Sequence, residues 1–336
     1  MTPGRPVAHE VLHRSAIVVD GHCDSALDLV GLGVDGRKIE PRDLAERGTR
    51  GFADVPRLIE GGVTAQFFAL FTHDAHVGEA PARTADMLDA MEALFDRTDS
   101  IRPALCARDV QEAKAGNHLA AFLAIEGGEA LGGSLEALRG FYQRGVRLLG
   151  LTWNRRNALG RGAAADGSGG LTDFGREVVA EMERLGMIVD ASHLSDEALS
   201  DLLAAARRPV VASHSNSRAV RNHRRNLSDA QAEGIAATGG LVAVTFAGGF
   251  VDEDPGRVGL PRLMDHVDRL VSAVGAEHVG LGSDFDGFQD KDGIVLSDCA
   301  SLPLFTDALI ARGYSERDVL AILGGNWMRV IREVLG

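Results

Sequence analysis

The sequence is short of cysteine, of lysine and of long apolar runs, and each shortage closes off a class of protein. Its three cysteines, Cys23, Cys106 and Cys299, stand far apart and in no Cys-x-x-Cys arrangement. That excludes a disulfide scaffold or a zinc ribbon and fits a reducing, cytoplasmic setting. Acidic side chains outnumber basic ones by 48 to 35, a net charge of −13, so neither nucleic acid nor an anionic membrane surface is an expected partner. The longest apolar stretch, around 239–251, is too short and too glycine-rich to span a bilayer. Residues 1–14 have no apolar segment of the kind a secretory signal needs. There is no Gly-x-Ser-x-Gly nucleophile elbow and no Gly-x4-Gly-Lys-Ser/Thr phosphate loop. What remains is a globular chain of 336 residues, 45% of them hydrophobic, enough for one large core or two modest ones.

What is present is a repeated unit: a short apolar run, a loop carrying a polar residue, then an amphipathic stretch. Strands are expected near 17–23, 63–71, 120–125, 146–151, 187–190, 209–212, 241–246 and 279–282. Helical patterns fill 83–95, 135–144, 173–185, 196–206, 229–237, 261–274 and, broken near Gly313, 302–335. Eight strands alternating with helices over this length predict a (β/α)8 TIM barrel rather than an open sheet, as one domain over 1–336 ending in helices. Gly31-Leu32-Gly33-Val34-Asp35-Gly36 matches Gly-x-Gly-x-x-Gly but leads into charge and proline instead of an apolar helix, so it reads as a flexible loop. For the Gly- and Ala-rich 160–170, a lid and a solvated loop fit equally well.

The chemistry sits at the strand ends. The first strand delivers His22 and Asp24 in a His-x-Asp pattern, and residues two apart on a strand share a face. Glu126 follows the third strand, His193 the fifth, His214 the sixth and Asp284 the eighth. In a parallel barrel all these ends open on one rim. Three imidazoles and three carboxylates meeting there call for cations, and two divalent ions joined by one carboxylate account for the set. None of the three lysines ends a strand, so a carboxylated lysine is not the bridge, and Glu126, followed by two glycines, is the candidate; taken alone it also reads as a helix cap. Asp284 is expected to take a proton from the attacking water and pass it on, with Asp286 as its competitor. An EF-hand reading of 284–295 fails because its twelfth residue is Val295. The eight other histidines (9, 13, 73, 76, 118, 223, 266 and 278) read as surface or structural, His73 and His223 least clearly.

Taken in order, Asp20-Gly21-His22-Cys23-Asp24, Ile125-Glu126-Gly127-Gly128, Ser192-His193-Leu194-Ser195, Ala212-Ser213-His214-Ser215, Arg224-Arg225-Asn226 and Gly282-Ser283-Asp284-Phe285-Asp286-Gly287 resemble the membrane (renal) dipeptidase family of the amidohydrolase superfamily. The resemblance runs from about residue 9 to Gly325-Asn326-Trp327. It implies a two-zinc barrel hydrolysing dipeptides, often with a D-residue at the carboxyl end. His22 and Asp24 would hold one zinc, His193 and His214 the other, and Glu126 would bridge. Arg225 would pair with the substrate's carboxylate, a role its guanidinium fork suits; without the family it reads as part of a basic turn.

One position departs from the family. Where several members have a histidine in a Leu-Thr-His context, this chain has Leu151-Thr152-Trp153-Asn154. An indole N–H donates but carries no charge, so the oxyanion contact falls to Asn154, to the metal alone, or to a changed substrate. The leading expectation is a binuclear zinc dipeptidase in which a metal-bridging hydroxide attacks the amide, with manganese or cobalt able to use the same ligands. A homodimer is compatible with the sequence. The rivals are a related amidohydrolase acting on N-acyl amino acids, lactones or phosphoesters, and a metal-binding homologue without turnover.

Overall fold

A computed structural model describes residues 8–336. The first seven residues of the opening stretch, and the side chain of His9, lie outside the described set. Nine strands form one all-parallel sheet: β1 Val18–Cys23, β2 Val63–Phe71, β3 Ile101–Pro103, β4 Leu119–Glu126, β5 Val146–Gly150, β6 Ile188–Asp190, β7 Val210–Ala212, β8 Leu241–Val244 and β9 Val279–Leu281. β1 pairs with β2 on one side and β9 on the other, and β2 pairs with β4, so eight of them close into the expected (β/α)8 barrel. The ninth, β3, was not expected. It pairs only with the first three residues of β4, and a three-residue strand with one buried side chain leaves no period to detect in sequence.

Period-two alternation splits the strands between two cores. On β4, Ala120, Phe122 and Ala124 point into the barrel, while Leu119, Ala121, Leu123 and Ile125 face the outer helices. Glu126 continues the inward series, which is how a β-strand delivers one carboxylate to the barrel axis. The interior mixes the branched side chains of Val19, Leu148, Ile188, Val211 and Leu241 with small residues at Ala65, Ala120, Ala124 and Ala243. Trp327 of the C-terminal helix Asn326–Val334 takes the space, stacking near Phe67 (5.0 Å between centroids) and donating to the Leu281 carbonyl at 2.9 Å. A Cβ at Gly21 would overlap this indole, so that glycine is there for close approach.

Helix starts follow their caps. Thr172, Ser195 and Ser228 each accept a backbone N–H of the first turn of helices 173–185, 196–205 and 229–237. No helix among the described residues is long and apolar enough to cross a membrane. The segment expected as a flexible loop forms a turn closed by Gly33 N–H donating to the Arg37 carbonyl. Residues 160–165 are pinned rather than free: Ala163 N–H donates to the His193 carbonyl at 2.7 Å and Ser195 N–H to that of Arg161.

His266 is fully buried, with Nδ1 accepting the Ser217 N–H and Nε2 donating to the Val251 carbonyl. Burial holds its pKa down to about 4, so the unfolded chain takes up a proton there before the native one does. The stability this provides is complete above about pH 6.5 and is lost as pH falls towards 4, about 3 kcal/mol in all. Denaturant midpoints across that window should fall less steeply for His266→Gln than for the unsubstituted chain; equal slopes would remove the assignment.

Candidate metal centre

The carboxyl ends of β1, β4, β6, β7 and β9 bring six of the expected residues into one buried cluster. His22 Nε2 lies 3.3 Å from Asp24 Oδ2, 3.7 Å from Glu126 Oε2 and 3.9 Å from Asp284 Oδ1. On the other side, Glu126 Oε1 lies 2.8 Å from His193 Nε2 and 3.6 Å from His214 Nε2. The two oxygens of Glu126 thus face different imidazoles. His22, Glu126 and His214 form one set of convergent donors, and His22, Asp24 and Asp284 form another.

Two features say what such a cluster fits. The Nε2 atoms of His193 and His214 stand 2.9 Å apart, and Asp24 Oδ1 is buried without a hydrogen-bond partner. Buried acceptors left facing one another are costly unless a cation lies among them. Imidazole nitrogen and carboxylate oxygen are the donors that zinc and its neighbours accept.

The backbone bends to build this ring. His193 and Asp284 adopt left-handed φ values of 69° and 66°, a region in which His and Asp are enriched among residues other than glycine. Burial pushes the Asp284 carboxyl up to about 7, Asp24 adding to the rise while His22 and Arg225 oppose it. Burial also raises Glu126 and lowers His193 and His214. For His22, burial works against the charged ring, yet Glu126, Asp24 and Asp284 outweigh it and bring it to about 10.

Asp286, the competitor of Asp284, is engaged elsewhere. It accepts from Ser25 Oγ (2.5 Å), Arg42 Nη2 (2.9 Å) and the Phe52 N–H (2.5 Å), tying three loops together. Arg225 is buried; its Nη2 donates to the His214 carbonyl at 3.1 Å and its Nε has no partner. Asn154 turns its amide oxygen to His193 Nδ1 at 3.0 Å. Trp153 is half-buried between Phe71, His73 and His193. With Asp284, Phe250 and Phe288 it lines a cavity of about 240 Å³ at the rim. A larger cavity, about 610 Å³, opens beside Val63 and Thr64 at the start of β2. It lies at the opposite end of the strand from the ring, so size alone does not mark the site.

Sequence reasoning missed a layer beneath the ring, in which the buried Asp20 and Asp190 tie Ser283 and Ser213 to neighbouring strands. The available signal was a serine directly before both Asp284 and His214. His266 and His13, expected as surface or structural, are both buried, His13 being held by Thr306 and the Gly61 carbonyl.

Comparison with known proteins bears on the family and the fold. The sequence profile of the membrane dipeptidase family (peptidase family M19) matches residues 7–335. Dipeptidase 3 of Rattus norvegicus is 33% identical over 336 residues, covering 96% of this chain and 66% of its own length. The chain therefore spans just under two thirds of that relative. Dipeptidase tcpJ of Claviceps purpurea is 32% identical over 90% of this chain and 72% of its own. A metallopeptidase from Rhodobacter sphaeroides, solved with a phosphinate mimic of the dipeptide L-Ala-D-Ala, superposes with a TM-score of 0.85 at 28% identity, covering 95% of this chain and 99% of its own. With the profile spanning nearly the whole sequence, this chain belongs to the membrane dipeptidase family, peptidase family M19.

Proposed function

We propose that this chain is a binuclear metallo-dipeptidase whose ions are held by His22 and Asp24 on one side, by His193 and His214 on the other, and by Glu126 between them. The observation that carries this reading is the division of Glu126, one oxygen towards His22 and the other towards His193 and His214. When bound, the two divalent ions supply Lewis acidity and make water a competent nucleophile near neutral pH. Zinc suits the donor set, and manganese or cobalt would use the same ligands.

The remaining steps belong to the chain's own side chains. Asp284 receives the nucleophile's proton and returns it to the leaving amine. Arg225 offers its guanidinium to the terminal carboxylate of the substrate, which favours dipeptides with a free end. Asn154 serves the His193 ring rather than the substrate. Trp153 forms a wall of the cavity and supplies a neutral donor where the family resemblance implies a histidine in several members. Turnover of L-Xaa-D-Xaa pairs is supported by the L-Ala-D-Ala mimic bound to the Rhodobacter sphaeroides neighbour.

Metal analysis combined with a panel of L-Xaa-D-Xaa, L-Xaa-L-Xaa and N-acyl amino acid substrates tests the reading. Two metal equivalents with dipeptide hydrolysis are expected. Turnover confined to N-acyl amino acids would overturn the substrate assignment. Trp153 motivates one second reading, a metal-holding homologue without turnover, and full metal content with no hydrolysis on any member of the panel would establish it. Arg225→Ala should raise KM for dipeptides by about 10–100-fold, the worth of a charge-assisted hydrogen bond of about 1.5–3 kcal/mol, and leave substrates lacking a free carboxylate nearly unchanged. Equal effects on both would remove the clamp.

A further inference from the structure

We propose that Asp190 and Ser213 fix the tautomer of His214, and thereby decide which of its ring nitrogens is free to meet a cation. Asp190 ends β6 and Ser213 follows β7, all three residues being buried. Asp190 Oδ1 accepts the backbone N–H groups of Ser192 and Ser213, each at 2.9 Å. Its other oxygen, Oδ2, accepts the Ser213 hydroxyl at 2.6 Å. A serine hydroxyl has a single proton, and here the carboxylate takes it. The 2.8 Å contact between Ser213 Oγ and His214 Nδ1 can then run in one direction only, from the ring N–H to the oxygen. A neutral imidazole protonated at Nδ1 has its lone pair at Nε2, the atom that faces Glu126 and His193.

The same clasp occurs across the barrel without a ring attached. Asp20 at β1 accepts the N–H of Ser283 at 2.7 Å and its hydroxyl at 2.5 Å, and Ser283 directly precedes Asp284 as Ser213 precedes His214. Only on the Asp190 side does the serine oxygen also accept from an imidazole N–H. Asp190 and Ser213 are positioning residues, acting through the ring they orient.

The test reads the tautomer itself. Long-range proton–nitrogen spectra of metal-free protein carrying ¹⁵N-histidine, with His214 assigned by its loss in His214→Gln, should show Nδ1–H. In Asp190→Asn the amide oxygen must stay on the two backbone N–H groups, so the amide N–H lands on Ser213 Oγ. That releases the hydroxyl proton towards His214 Nδ1 and should switch the ring to Nε2–H. Ser213→Ala, which only removes the partner, should leave a mixture of tautomers. In chelator competition, both variants should hold one zinc on the order of 10–100-fold more weakly than the unsubstituted chain, with circular dichroism reporting the fold. The consequence for zinc rests on the proposed metal centre; the tautomer does not. An Nε2–H ring in the unsubstituted protein, or an unchanged ring in Asp190→Asn, would overturn the inference. Failure of the unsubstituted chain to take up zinc would overturn the metal centre instead, while the spectra still decide the relay.

Discussion

Glu126→Gln should lose at least one metal equivalent and on the order of 10³-fold or more in kcat/KM for dipeptides. The substitution keeps shape and buried volume but exchanges an anion with two acceptor oxygens for a neutral amide with one. In the proposed centre each oxygen serves a different ion, so the amide cannot serve both, and it turns N–H donors towards His193 Nε2 at 2.8 Å or His22 Nε2 at 3.7 Å. Metal ions contribute several kcal/mol of transition-state stabilisation, and each 1.4 kcal/mol or so is tenfold in rate. Elemental analysis together with steady-state kinetics checks both halves of the statement. Full metal content with an unchanged rate would remove Glu126 from the centre. A folded protein is expected throughout, because the change removes a buried charge and does not expose one.

Asp284→Asn should lower kcat by about 10²–10⁴-fold, the usual worth of a positioned general acid–base group, and leave the metal content as it was. The choice of asparagine matters. Asp284 sits at a φ of 66°, a conformation that asparagine accepts and that alanine pays for, so the variant tests proton transfer without adding backbone strain. Its neighbours also tolerate the change: Thr245 Oγ1 donates to Oδ2 at 3.3 Å, and an amide oxygen accepts that bond equally well. Loss of metal in this variant would recast Asp284 as a ligand, and an unchanged kcat would remove it from the reaction.

The contrast between Asp284 and Asp286 shows where sequence reading reached its limit. Both stand in one short run after β9, and spacing favoured Asp284 only by distance from the strand. What separates them is the company each keeps, Ser25, Arg42 and Phe52 for Asp286 against His22 and Thr245 for Asp284. Those partners come from segments more than two hundred residues away for Asp286. Asn154 shows the same limit: its position beside Trp153 could not reveal that its amide oxygen faces His193 Nδ1.

The barrel, its strand ends and the ring of His22, Asp24, Glu126, His193, His214 and Asp284 were determined by the sequence itself, because alternation along each strand and the parallel order of the strands fix which end carries a polar residue. The layer beneath came with the closed barrel alone: the clasps of Asp20 on Ser283 and Asp190 on Ser213, and the Trp327 indole packed in the barrel's interior. These depend on hydrogen-bond direction and on the width left between closed strands, which exist only once distant segments meet.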